Sequence, residues 1–107
     1  MARRRSEGKA AKPKVYMCQT GTPGQLEPAR AYTTLDAAKK HAGDAFAKWT
    51  DWCQRYNKAG VEVLGGAKMA LDQIGEPEVQ MGRQEVRCTF DEHTGMTLVV
   101  VLWKERT

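Results

Sequence analysis

Six cations near the start of the sequence offer its clearest chemistry. Residues 1–14 hold these cations beside a single acid, Glu7, and carry 6 − 1 = +5, whereas residues 15–107 carry 11 − 12 = −1. Arginine and lysine on an extended chain neutralise phosphates and release counterions, which gives sequence-independent affinity for nucleic acid that falls as salt rises. We therefore expect a nucleic-acid-binding arm whose contacts are Arg3, Arg4, Arg5, Lys9, Lys12 and Lys14.

Other uses of this basic arm (residues 1–14) stay open. A short run of charge also serves as a solubilising tail without a partner, or docks on an acidic protein surface. Lys104 and Arg106 are added candidates for nucleic-acid contacts, because Trp103 beside them places an aromatic ring next to two cations. Arg30 is a further candidate from the body of the protein. The same Trp103 also suits a contact between two protein copies.

Cysteine and histidine residues make a weaker case for a metal site. A structural zinc ion needs about four ligands that converge on it. Cys18, Cys53, Cys88, His41 and His93 are scattered along the sequence, and two of the cysteines fall in apolar stripes. We expect Cys53 and Cys88 to be small buried apolar residues, and we expect neither a metal nor a cofactor.

Catalytic chemistry has one suggestive cluster. His93 follows Asp91 and Glu92, but no nucleophile accompanies it, and these residue types suit a tight connection between two strands. The pair Gly65 and Gly66 ahead of a short helix could hold an anion on backbone N–H groups, but it lacks the full phosphate-loop pattern. We therefore expect a strand turn, a plain glycine connection and a protein that is not an enzyme.

The longest predicted element is a helix over residues 33–59. Its apolar residues share a stripe of roughly 120°, and on the opposite face acids precede bases by four residues, as Asp36 precedes Lys40. Thr33 is expected to cap its start, and Gly43 to lie within a continuous helix. Core packing explains the aromatic residues of the stripe, and stacking on nucleobases stays open if any of them reaches a wet face. The stripe comprises Leu35, Ala38, Ala42, Ala45, Phe46, Trp49, Trp52, Cys53 and Tyr56.

Strands and a second helix complete the pattern. Alternating apolar residues predict the strands, and the spacing i, i+3, i+4, i+7 predicts the helix. The final strand is apolar on both faces, which is typical of a central strand that is covered on both sides. The predicted strands are 14–20, 29–32, 61–64, 84–90 and 96–103 with a weaker one at 79–81, and the predicted helix is 66–74.

The fold class that follows is α+β in a single domain. Residues 1–13 are too poor in apolar side chains to order, and residues 14–107 form the compact domain. A small antiparallel sheet of three to five strands, with the C-terminal hairpin 84–103 at its centre, packs against the long helix. The short helix is expected to cover part of the other face. Without that cover, an apolar strip would mark a partner interface or a homodimer through the sheet. The strip comprises Val99, Val101 and Trp103.

Composition favours a small cytoplasmic binding protein. The cysteines are odd in number without a C-x-x-C pair, and no apolar run approaches the roughly 20 residues of a membrane span. Our first hypothesis is non-specific nucleic-acid binding through the arm. The alternative is a protein–protein interaction module, for instance a phage- or mobile-element-type inhibitor or adaptor, that binds through the outer sheet face or the sheet edge.

Overall fold

The expected α+β class is confirmed. A computed structural model describes residues 14–76 and 82–106, in which five antiparallel strands pack with a long and a short helix. The basic segment 1–13 and the weak strand predicted at 79–81 lie outside the described residues. The elements in chain order are β1 (Lys14–Thr22), β2 (Gln25–Leu26), β3 (Arg30–Tyr32), α1 (Leu35–Tyr56), α2 (Ala59–Asp72), β4 (Gln84–Asp91) and β5 (Met96–Arg106).

Two long strands, β1 and β5, form the centre of the sheet. β5 pairs with β1 on one side and with β4 on the other, while β2 and β3 pair with different parts of β1. β5 therefore takes the central position predicted for the hairpin, whereas β4 lies at an edge. The register pairs Lys14 with Arg106 at one end of the β1–β5 ladder and Gly21 with Val99 toward the other.

The long helix α1 is continuous through Gly43, as predicted, but its ends differ from the sequence prediction. Its cap is Thr34 rather than Thr33, because the Thr34 hydroxyl accepts the backbone N–H of Ala37 at 3.1 Å. The helix ends at Tyr56, since the next residue has φ −157° and leaves the helical conformation. Among the described residues, the ion pair on its outer face joins Lys40 to Asp44 at 3.9 Å, with the base ahead of the acid.

The second helix departs most from expectation. α2 begins at Ala59 and includes residues 61–64, which the sequence pattern predicted as a strand. Val61, Leu64 and Leu71 recur at helical spacing and all face the core, so packing decides against the local alternation of valines. Gly65 and Gly66 consequently lie inside a helix, where neither forms the connection or the anion loop considered from sequence.

A close approach at the start of α2 fixes how the two helices meet. A Cβ atom on Gly60 would lie 2.6 Å from the carbonyl oxygen of Phe90 and 2.7 Å from the Cys53 sulfur. The same Phe90 oxygen accepts the side-chain amide of Asn57 at 3.2 Å. The corner between α1 and α2 therefore rests directly on the end of β4.

Both helices cover the same face of the sheet. One core cluster joins side chains of α1 and α2 to the inward side chains of β1, β4 and β5. The expectation that the short helix would cover part of the opposite face is therefore wrong, because α2 docks against β4 beside α1. The cluster comprises Cys18, Ala38, Ala42, Phe46, Cys53, Leu64, Leu71, Cys88, Phe90, Leu98, Val100 and Leu102.

Candidate nucleic-acid interface

The root of the basic arm lies at one end of the central ladder. Lys14 opens β1, and its backbone pairs with that of Arg106 at the end of β5. Two predicted contact residues are thus neighbours at the point where the arm joins the sheet. The other predicted arm residues, Arg3, Arg4, Arg5, Lys9 and Lys12, lie outside the described residues.

Lys104, a predicted contact from the body, is held inside a polar cluster. Its ammonium donates to Glu76 Oε2, the oxygen that also accepts the Tyr16 hydroxyl at 2.6 Å. The Lys104 side chain is 9% exposed, and its nitrogen lies 5.1 Å from the Tyr16 ring centroid. The hydrogen bond to Glu76 raises the pKa of Tyr16 and also raises the pKa of Lys104. A phosphate would have to compete with the Glu76 carboxylate for Lys104. Arg30 on β3, the other candidate from the body, is exposed.

The predicted partner strip on the outer sheet face is buried. Val99, Val101 and Trp103 are 2%, 5% and 8% exposed, and Met17 and Ala29 pack against them. The three side chains thus form a second, smaller core. In this arrangement they do not supply the exposed apolar patch that the interaction hypothesis requires.

Polar groups enclose Trp103 further. The Arg83 guanidinium lies 4.3 Å from the centroid of its ring, and the indole N–H donates to Glu105 at 2.6 Å. A ring that is covered on one face and bonded at its edge is not presented to a nucleobase. The aromatic-plus-cation pattern at the end of β5 is therefore satisfied within the protein.

Aromatic side chains do reach solvent at the C-terminal half of α1. Trp49, Trp52 and Tyr56 lie along one flank of the helix and, with Met96 at the start of β5, line an open groove of about 570 Å³. We call this surface the aromatic groove. Its remaining lining residues are charged, namely Lys48, Asp51 and Arg55.

The rings of the aromatic groove form a continuous row of edge-to-face and tilted contacts. The ring centroids of Trp52 and Tyr56 are 5.3 Å apart, those of Trp49 and Trp52 are 6.0 Å apart, and Trp49 rests 5.0 Å from Phe90 in the core. Trp49 and Trp52 are half-buried, but Tyr56 is 69% exposed. The assignment of Tyr56 to the buried stripe is therefore wrong. Tyr56 is the last residue of α1 and lies at the rim of the groove.

A polar depression continues from the aromatic groove along the same flank of α1. It has a volume of about 430 Å³ and shares Lys48 and Trp49 with the groove. Its other wall is the β1–β2 turn, and its acids are Glu27 and Asp44. The Nδ1 atom of His41, which also lines it, is 2.8 Å from the Tyr32 hydroxyl oxygen. Carboxylates on both walls make this depression a poor site for an anion.

The cysteines and His93 occupy structural positions. Cys53 and Cys88 are free and buried, as expected, and Cys18 is free and buried as well. Burial raises the pKa of Cys18 to about 11 and also raises that of the other two thiols. His93 lies in the β4–β5 turn, where its backbone N–H donates to Asp91 at 3.0 Å, as turn chemistry predicts. Within residues 14–76 and 82–106, no three His, Cys, Asp or Glu side chains converge as metal ligands.

Neither of the two described helices combines the length and apolarity needed to cross a bilayer.

Comparison with other proteins adds no relative. Searches against protein-family models, curated proteins and solved structures found no match.

Proposed function

We propose that this protein is a small non-enzymatic binding protein that contacts nucleic acid through its basic arm. The observation that carries the proposal is the division of charge, +5 (6 − 1) in residues 1–14 against −1 (11 − 12) in the rest of the chain. Counterion release by such an arm gives affinity without sequence preference. The expected contacts are Arg3, Arg4, Arg5, Lys9, Lys12 and Lys14, with Arg106 as an addition from the body. Lys104 adds to them only where a phosphate displaces the Glu76 carboxylate.

Several cations of the body already have partners within the protein, which favours the arm as the segment that contacts phosphates. Lys68 binds Asp72 at 2.8 Å, Arg87 binds Glu85 at 3.0 Å, and Lys104 binds Glu76. Lys39 donates to the backbone oxygens of Asp72 and Ile74 at the end of α2. A phosphate gains less from a cation that is already paired than from one on the arm.

For location we propose the cytoplasm, since three free buried thiols suit a reducing compartment.

Charge removal in the full-length chain tests the proposal. The variant replaces Arg3, Arg4, Arg5, Lys9 and Lys12 with glutamine, and the control replaces the exposed body residues Lys40 and Lys58 in the same way. Fluorescence anisotropy with a labelled oligonucleotide at about 0.1 M salt should show at least about a 100-fold weaker association for the arm variant. The control should change association by less than about tenfold. Equal affinities for the wild type and the arm variant would contradict the proposal.

The alternative, a protein-interaction module of the phage- or mobile-element-inhibitor type, is favoured by one observation. Among the described strands, β4 pairs with β5 alone, so it presents an edge to which another strand, including a second copy of this chain, could add. Glu85 and Arg87 are exposed on this strand, and such charges on an edge oppose uncontrolled pairing. Under this alternative the wild-type chain would bind no oligonucleotide near physiological salt. Its mass in solution would then show whether the edge pairs two copies.

A further inference from the structure

We propose that the aromatic groove binds single-stranded nucleic acid, with an unpaired base stacked on Tyr56. This inference rests on the proposed function, because it specifies which form of nucleic acid the protein selects. Tyr56 is 69% exposed at the end of a row of rings, and the Trp52 ring packs against it at a centroid distance of 5.3 Å and an interplanar angle of 48°. An exposed ring on a rigid aromatic support is the platform on which single-strand binding proteins stack bases.

The charges around the rings fit a phosphodiester backbone. Lys48 and Arg55 line the groove against one acid, Asp51, which leaves 2 − 1 = +1 at the site. Among the described residues, neither cation forms an ion pair. The Lys48 nitrogen lies 5.6 Å from the Trp49 ring centroid, so a cation and the aromatic wall are already adjacent. A wholly apolar partner would leave these cations without counter-charge, whereas a nucleotide offers a ring and an anion together.

The helix frame makes the platform rigid. Trp49, Trp52 and Tyr56 are spaced i, i+3 and i+7 on α1, and Phe90 on β4 packs against the first two. Asn57 anchors the chain after Tyr56 to the Phe90 carbonyl oxygen. Stacking on Tyr56 therefore requires little ordering of the protein, which lowers the entropic cost of binding.

The aromatic groove and the arm root are separate contact points. Met96 at the groove and Arg106 at the arm root are opposite ends of β5, so ten residues at about 3.3 Å each place them roughly 33 Å apart. Sites this far apart contribute additively to binding. The arm should supply most of the salt dependence, and Tyr56 should supply preference for unpaired bases.

Tyr56→Ala in the full-length chain tests the groove, with anisotropy measured on a single strand of about 20 nucleotides and on its duplex. Loss of one stacked base should weaken single-strand binding between about 5- and 150-fold, with an unchanged salt slope and unchanged duplex binding. Tyr56→Phe keeps the ring and should bind like the wild type. Met69→Ala removes a 63% exposed apolar side chain on α2 and serves as the matched control.

The outcomes separate the two proposals. If Tyr56→Ala weakens single-strand binding while the arm variant still binds, the aromatic groove stands and the arm proposal fails. If the arm variant alone loses affinity and Tyr56→Ala binds single strands like the wild type, the groove proposal is overturned. If Tyr56→Ala weakened binding of an acidic peptide but bound single strands like the wild type, the groove proposal would also be overturned. Absence of any binding by the wild-type chain overturns both.

Discussion

Gly60 is a residue at which the packing tolerates little change. Alanine there would place its Cβ against the Phe90 carbonyl oxygen and the Cys53 sulfur, and the backbone oxygen cannot rotate away. We expect Gly60→Ala to lower the free energy of unfolding by about 2 kcal/mol, because crowding outweighs the gain in helix propensity. Urea unfolding followed by circular dichroism measures this change.

Gly65→Ala is the matched control on the same helix. Its Cβ would meet nothing within 4 Å, so only the helix propensity changes, and we expect stabilisation by about 0.5–1 kcal/mol. Equal effects at the two positions would show that α2 does not approach Phe90 as closely as described.

The Cys18 thiol predicts how stability depends on pH. Burial raises its pKa from 9.0 to about 11, so the unfolded chain loses this proton first as pH rises. The contribution of the protonated Cys18 thiol to the free energy of unfolding is fully present below pH 9. It is lost between pH 9 and 11, where the free energy of unfolding falls by about 1.4 kcal/mol per pH unit.

Cys18→Ala should flatten the decline in stability between pH 9 and 11. The raised pKa values of Tyr16, Lys104, Cys53 and Cys88 act in the same direction and stay in both proteins, so the difference between their slopes isolates Cys18. Denaturant titrations at pH 8, 9, 10 and 11 measure it. Identical slopes in the two proteins would mean that Cys18 is accessible to water.

At the scale of elements, the start of α1 distinguishes two adjacent threonines. The Thr34 hydroxyl accepts the backbone N–H of Ala37, so Thr34→Ala should destabilise the protein by about 1 kcal/mol. Thr33→Ala should change stability by less than about 0.5 kcal/mol, because Thr33 is an exposed residue outside the cap. The midpoints of urea unfolding for the two variants measure the difference. If Thr33→Ala were the more destabilising variant, the cap would be Thr33, as expected from sequence.

Elements whose periodicity and turn residues agree were predictable. The β4–β5 hairpin follows from strict alternation and from Gly95, which has φ +74° in the turn. α1 follows from its long stripe. Residues 61–64 were mistaken for a strand because alternation over four residues also fits part of a helix, and only docking against β4 decides between them.

The candidate groove was only half predictable. The sequence shows three aromatic residues on one side of α1, yet it cannot show that Tyr56 is exposed, because that depends on where α2 docks. The signal available was the position of Tyr56 in the last turn, just before Asn57, Lys58 and Gly60. The side chains that cover Val99, Val101 and Trp103 could not be identified from sequence for a related reason, since Met17, Ala29 and Arg83 reach that face through tertiary contacts.

At the scale of the whole molecule, the net positive charge and the aromatic groove lie in different parts of the chain. The described body packs both helices on one side of the sheet and closes a smaller cluster on the other. It thereby holds the aromatic groove in a fixed place, while the arm supplies the net charge of +5 (6 − 1). We expect the arm to determine most of the affinity for nucleic acid, and the aromatic groove to determine the preference for unpaired bases.

The salt dependence of nucleic-acid binding tests the central claim most directly. The association constant of the full chain for a single strand is measured between about 0.05 and 0.3 M salt. With six arm cations engaged, log K should fall against log salt with a slope of about −4, and of about −5 for a duplex. Loss of five arm cations in the arm variant should make the single-strand slope shallower by about 3.5, at about 0.7 per phosphate contact. A shallow slope for the wild type, or an equally steep one for the arm variant, would contradict the claim that the arm is the functional contact.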